Sequence, residues 1–177
     1  MKHKNTSSRI IGLTGGISTG KTTVSNYLAK TYRLPVLDAD VYAREAVKPN
    51  SPILNDILAR YGDRLILANG SLNRPALAEI IFENATEKKW LESKIHPFVR
   101  DRFREEMQKL AGETMVLAIP LLFEAKLTDL VTEIWVVYCD EQEQLARLQK
   151  RDNLTLEQAK TRIANQLPLA DKIARAD

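Results

Sequence analysis

The chain has 177 residues, of which 44% are hydrophobic and 28% charged, so it can bury a sizeable core and wholesale disorder is excluded. Lys and Arg number 26 against 23 Asp and Glu, a net +3 that is too small for a dedicated nucleic-acid binder but suits anionic substrates. The single Cys excludes an internal disulfide, no apolar run approaches the ~20 residues of a membrane span, and no signal-peptide core precedes the first element. A cytoplasmic protein without membrane or nucleic-acid partners is the expectation.

In chain order, the polar and basic residues 1–8 read as a loose tail. Arg9–Thr14 is a short β-branched apolar run, as a buried strand requires. From Thr22 to Tyr32, Val24, Tyr27, Leu28 and Tyr32 recur at helical spacing. Between them lies Gly15-Gly16-Ile17-Ser18-Thr19-Gly20-Lys21-Thr22, a full G-x-x-x-x-G-K-[ST] match in the strand-loop-helix setting that the motif needs. Four of the chain's seven glycines fall within nine residues here, which lets backbone N–H groups turn inward round a polyphosphate at a helix N-terminus. Lys21 then serves the β- and γ-phosphates, and the Thr22 hydroxyl can ligate Mg²⁺.

Three further strands are predicted at Leu34–Leu37, Met115–Ile119 and Ile134–Cys139, alternating with helical patterns. That alternation predicts an α/β domain round a parallel sheet. Helices are expected from Ser51-Pro52 to Gly62, over Pro75–Glu83, and from Thr86 to Leu110, the last kinked at His96 by Pro97. Two late helices open with capping-box pairs, Asp140 with Glu143 and Thr155 with Gln158. Trp90, Trp135 and Cys139 read as core residues.

The P-loop announces a nucleoside triphosphate without saying what it is used for. The D-x-x-G and N-K-x-D elements of GTPases are absent from the sequence, and the length leaves no room for the second domain of a helicase. Small-molecule and nucleotide kinases remain. Their acceptor residues should lie at the C-terminal ends of the strands, where the sequence offers Asp38-Ala39-Asp40, Arg44 and Pro120-Leu121-Leu122-Phe123-Glu124.

At these residues the chain resembles the dephospho-CoA kinase family. The matching pieces are G-L-T-G-G-I-S-T-G-K-T-T (Gly12–Thr23), D-A-D-V-Y-A-R (Asp38–Arg44), His96-Pro97, I-P-L-L-F-E (Ile119–Glu124), R-L-Q-K-R-D (Arg147–Asp152) and R-I-A-N-Q (Arg162–Gln166). The resemblance implies a three-layer P-loop kinase fold with a core over about 9–45 and 113–146, a helical acceptor-binding insertion over about 46–112, and a helical lid over about 147–166. It further implies phosphorylation of the ribose 3′-hydroxyl of dephospho-CoA, with ATP and Mg²⁺. ATP would be held by Gly16, Ile17, Ser18, Thr19, Gly20, Lys21, Thr22, Thr23, Arg147 and Arg151. The acceptor would meet Asp38, Asp40, Arg44, His96, Pro120, Leu121, Leu122, Phe123 and Arg162, with Glu124 at the pocket rim. Asp40, Lys21 and Arg147 would carry the catalysis, Asp40 by orienting the acceptor hydroxyl.

Plainer roles stand beside these. Asp38-Ala39-Asp40 can cap a helix, Asp40 and Arg44 can form an i,i+4 ion pair, Pro120–Phe123 can be core, and Arg147, Arg151 and Arg162 can be a solvated face. A kinase for another small acceptor, such as a nucleoside monophosphate, and a non-catalytic nucleotide-binding module are the competing functions. Two departures from the family pattern matter. The family has Gly-Ser where this chain has Ser18-Thr19, and a side chain at position 18 requires a negative φ or carries strain. The family pattern also continues past Asp177 with a strand, an Asn-rich loop near the adenine and a final helix.

Overall fold

The computed structural model describes residues 8–177, with the side chain of Glu83 outside the description; the tail expected over residues 1–8 lies, apart from Ser8, outside the described residues. Contacts divide the chain into two units, one formed by residues up to 38 together with Met107–Asp177, the other by Ala39–Glu106.

The first unit holds four strands, β1 (Ile10–Gly15), β2 (Val36–Asp38), β3 (Met115–Ala118) and β4 (Glu133–Val137). They form one parallel sheet in the order β2-β3-β1-β4. The predicted strands are all present, displaced by one or two residues. Because β1 connects towards β2 and β3 connects the opposite way towards β4, the order reverses between β1 and β3, and the C-terminal ends of these two strands are where open α/β sheets hold ligands. Ile11 and Leu13 on β1 pack with Val116 and with Leu28 of α1 (Lys21–Tyr32), all nearly inaccessible to water. Only Val24 and Leu28 of the predicted apolar face turn inward. Tyr27 and Tyr32 are more than half exposed and meet edge to face on the outside of α1. Trp135 packs against the same cluster.

After β4 come α6 (Glu141–Asp152), α7 (Leu156–Ala164) and the short α8 (Leu169–Ile173). Thr155 and Gln158 form the full reciprocal capping box expected of them. Asp140 supplies the forward half, accepting Glu143 N–H at 2.8 Å. Asn153 closes α6 in the left-handed region at φ 51°, a conformation asparagine tolerates better than most residues. At the outer edge of β4, Asp177 N–H donates to Ile134 O at 3.0 Å, and Asp177 Oδ2 accepts Ile134 N–H at 2.9 Å.

The second unit contains α2 (Ala39–Ala46), α3 (Pro52–Tyr61), α4 (Arg74–Glu83) and most of α5 (Ala85–Lys109). Ser51 caps α3, accepting Leu54 N–H at 3.1 Å, and Gly62 closes it, as the sequence predicts. Asn73 caps α4 in the same way. Leu54, Ile57, Leu65, Leu72 and Leu91 form its core, with Trp90 packed against them under the Arg60 guanidinium at 4.6 Å. The α-helix α5 runs from Ala85 to Lys109 as one element with Pro97 inside it, so the proline does not divide it. Among the described residues no helix is long and apolar enough to cross a membrane.

Candidate active site

The phosphate-binding loop leaves β1 at Gly15 and enters α1 at Lys21. Why glycine stands at position 15 is steric: a Cβ there would sit 2.5 Å from Val137 O of the adjacent strand and 2.8 Å from Thr19 Oγ1. At Gly16 the obstacle is Gln144 Nε2, 2.7 Å away. Gly20 takes φ 101° and serves as the N-cap of α1, where its carbonyl accepts Thr23 N–H at 2.9 Å. Thr19 is buried, its hydroxyl donating to Gly16 O at 2.9 Å and bracing the loop from inside. Lys21 is half-buried and Thr22 exposed in the first turn of α1, where the helix end favours negative charge.

Ser18 resolves the alternative posed by the sequence. It takes φ 61°, so the side chain sits in the left-handed region, and its Oγ is buried with no hydrogen-bond partner. The loop is altered from the glycine pattern and carries that strain.

Two glutamines to which sequence reading gave no role of their own, Gln144 and the Gln166 that ends the R-I-A-N-Q piece, hold the loop from the C-terminal part of the chain. Gln144 of α6 is buried and donates to Ile17 O at 2.8 Å. Ile17 N–H in turn donates to Gln166 Oε1 at 2.9 Å. Both backbone groups of one loop residue are thus satisfied by side chains from more than 120 positions away.

Of the predicted lid arginines, Arg147 is the one brought to the loop. Its Nη1 lies 3.8 Å from where a Cβ on Gly20 would stand, while Nη2 donates to Glu143. Arg151 and Arg162 instead converge on Asp152 at the hairpin between α6 and α7, at 2.8 and 2.7 Å. The Arg151 hydrogen bond, aided by Arg162, holds the Asp152 carboxyl below the usual carboxylate range. Cys139 is half-buried just past β4, and desolvation raises its thiol.

After β3 come buried Ile119, half-buried Pro120 and Leu121, and buried Leu122 and Phe123. Thr14 Oγ1 donates to Pro120 O at 3.1 Å. Leu122 is fully buried and lies over Gly12, within 3.2 Å of a Cβ placed there, so it serves the core. Phe123 is covered by the Arg175 guanidinium at 4.2 Å. The Glu124 carboxylate accepts Leu167 N–H at 3.0 Å and pairs with Lys172 at 2.9 Å. Asp38 ends β2, in register with Ala118 of β3.

In the second unit, Asp40 is exposed in the first turn of α2, where the helix end stabilises its charge, and Arg44 is exposed in the last turn. Tyr42, between them in sequence, is buried edge to face on Phe103 of α5, with the Arg102 guanidinium 5.4 Å from its ring. Arg102 also pairs with Glu45 at 3.5 Å, so α2 is fastened to α5 at the tyrosine and again about one turn later. Arg74, another residue the sequence did not flag, reaches Arg44 O at 3.5 Å. Burial and the neighbouring Arg44 charge lower its guanidinium from the ordinary value. His96 is half-buried in mid-α5. Among the described residues no group of three His, Cys, Asp or Glu is placed to hold a metal ion.

Comparison with known proteins adds the following. The family model for dephospho-CoA kinase matches residues 9–177. A dephospho-CoA kinase of Trichormus variabilis is 60% identical over 169 residues, covering 96% of this chain and 86% of that protein. One from Synechococcus elongatus is 49% identical, covering 99% and 84%. Among solved structures, a Thermus thermophilus protein aligns with a TM-score of 0.81 at 33% identity over 96% of this chain and 86% of its own. The dephospho-CoA kinase of Campylobacter jejuni aligns at 0.69 and 30% identity over 95% and 85%.

Proposed function

The chain belongs to the dephospho-CoA kinase family, and we propose that it transfers the γ-phosphoryl group of ATP to the ribose 3′-hydroxyl of dephospho-CoA, giving CoA and ADP. The observation that carries the ATP half is the loop Gly15–Thr22, rooted in the central strand and held at Ile17 by Gln144 and Gln166. Family membership carries the acceptor.

In this reading the loop amides and Lys21 hold the β- and γ-phosphates, with Arg147 above Gly20 supplying a further charge to the transferring group. Asp40 accepts a hydrogen bond from the acceptor hydroxyl and takes its proton as the new O–P bond forms and the bond to the β-phosphate oxygen breaks. The electron pair leaves with ADP. Because this transfer is largely dissociative, the orientation supplied by Asp40 counts for more than full deprotonation. Arg44 and His96, with Pro120 and Leu121, are assigned to the acceptor, and residues 39–106 to its binding. Asp38 is assigned to the same side. The α6–α7 hairpin is assigned as the lid, Arg151 and Arg162 leaving Asp152 for ATP and acceptor respectively when it closes.

Mg²⁺ fits the donors present: the exposed Thr22 hydroxyl is one hard oxygen beside the substrate's phosphate oxygens, the kind of set that this ion takes. When bound it neutralises charge on the transferring group. A single cysteine and soluble substrates suit a cytoplasmic enzyme.

Coupled ADP release with Mg-ATP tests the reading, comparing dephospho-CoA with AMP, CMP and no acceptor. Turnover with dephospho-CoA, and CoA as product, is the expected result; turnover with another acceptor alone refutes the acceptor assignment. Asp40→Asn should lower kcat by about 10²- to 10⁴-fold, the usual worth of a proton-accepting side chain, and leave ATP binding intact. Near-normal turnover would remove Asp40 from the mechanism.

A further inference from the structure

Behind the phosphate loop lies a charged constellation that the reaction as described does not use. Lys172 belongs to the five-residue helix α8, and its side chain is fully buried. Its ammonium group has three donors, and three acceptors surround it: Gly15 O at 3.4 Å, Pro120 O at 3.2 Å and Glu124 Oε1 at 2.9 Å. Gly15 ends β1 and opens the phosphate loop, and Pro120 lies two residues beyond β3. Lys172 therefore ties together the C-terminal ends of the two strands between which the sheet order reverses.

The same constellation closes on the loop by a second route. The Glu124 oxygen that takes Lys172 also accepts Leu167 N–H. The neighbouring residue, Gln166, accepts Ile17 N–H from the loop. A circuit thus runs from Gly15 through Lys172, Glu124 and the Gln166-Leu167 peptide back to Ile17. It encloses the start of the nest and joins it to the segment that follows α7.

An ion pair with one buried partner is weak evidence for stability, since well-packed apolar residues of similar volume often do as well. What apolar residues cannot do is hold two carbonyls and a carboxylate at fixed positions. We infer that Lys172 is a positioning residue for ATP, fixing the phosphate loop through Gly15 and Glu124. The inference rests on the kinase reading above, yet its test needs no acceptor.

The test is direct titration of the full chain and its variants with Mg-ATP, together with separate KM values for ATP and dephospho-CoA. Lys172→Met and Glu124→Gln should each weaken ATP binding about tenfold and raise the KM for ATP in step with it. Combining them should cost little more than the worse single change, because both cut one circuit. Lys172→Arg, which keeps the charge and donors, should recover part of the loss. A purely structural lysine would lower Tm while the folded variants bind ATP as the native chain does, and that result overturns the inference. Should Lys172→Met fail to fold, Glu124→Gln decides alone, since it keeps the side-chain volume and an oxygen for Leu167. A native chain that binds ATP but leaves dephospho-CoA untouched would refute the acceptor assignment and leave this titration fully readable.

Discussion

Replacing Ser18 by glycine should make the protein more stable, although the residue sits inside the phosphate-binding motif. Ser18 holds φ 61°, and its hydroxyl is buried without a partner. An L-residue in the left-handed region costs about 1–2 kcal/mol, and a buried hydroxyl left unpaired costs about 1–3 kcal/mol. Glycine returns about 0.5–1 kcal/mol of this through its greater freedom in the unfolded chain. Ser18 is only half-buried as a residue, so the lower end of the hydroxyl range applies, and the net gain is about 2 kcal/mol. For a chain of 177 residues that corresponds to a rise in Tm of about 4–8 °C. Thermal unfolding without nucleotide, followed by far-UV circular dichroism, measures it. Ser18→Ala serves as the control: it removes the hydroxyl and keeps the backbone strain, so it should fall between serine and glycine. A Ser18→Gly protein that melts at or below the native Tm, or below Ser18→Ala, would refute the reasoning.

Gly15→Ala should lose ATP binding by at least 100-fold, because its Cβ meets the Val137 backbone carbonyl at 2.5 Å and neither strand can yield. Gly16→Ala should be milder, the obstacle there being the movable end of Gln144; equal losses in titrations of the two would contradict the steric account. In the second unit, hydrogen bonds from Arg60 and Tyr61 depress the Glu87 carboxyl to about 2. Its unfolded value is about 4.3, so its contribution is complete above that pH and is lost as pH falls through about 2. Urea unfolding at a series of pH values should therefore show a shallower acid loss for Glu87→Gln than for the native chain, and parallel curves would exclude Glu87 as a source.

The parts of the fold that sequence made legible are those decided over a few residues. The loop Gly15–Thr22 is defined by its own backbone needs, and the Thr155–Gln158 box by one helical turn. Tyr27 and Tyr32 misled because tyrosine satisfies a helical apolar pattern equally well when its ring lies on the surface beside another ring. What stayed hidden was long-range and polar. Gln144 and Lys172 look like ordinary surface residues of charged helices and Gln166 like a turn residue after one, and each becomes meaningful only through a partner 127, 157 or 149 positions away. Arg151 and Arg162 matched a lid pattern; Arg151 meets its own neighbour Asp152, while Arg162 reaches it only because the chain turns back after the left-handed Asn153, which spacing alone does not specify.

The strand order has a consequence for how the molecule breathes. β1 is paired on both sides, to β3 and to β4, and its residues from Ile11 to Gly15 are buried. Amides in such a strand exchange with solvent only when the whole sheet comes apart. The phosphate loop continues that strand, so a nucleotide held there, as proposed, is anchored to residues that open only with the sheet. Ligand occupancy is then felt as resistance to global opening: at 100 times its dissociation constant, ATP should slow exchange at the β1 amides by the full ~2.7 kcal/mol of linkage. Frayed and surface amides, which open locally, should register almost none of it.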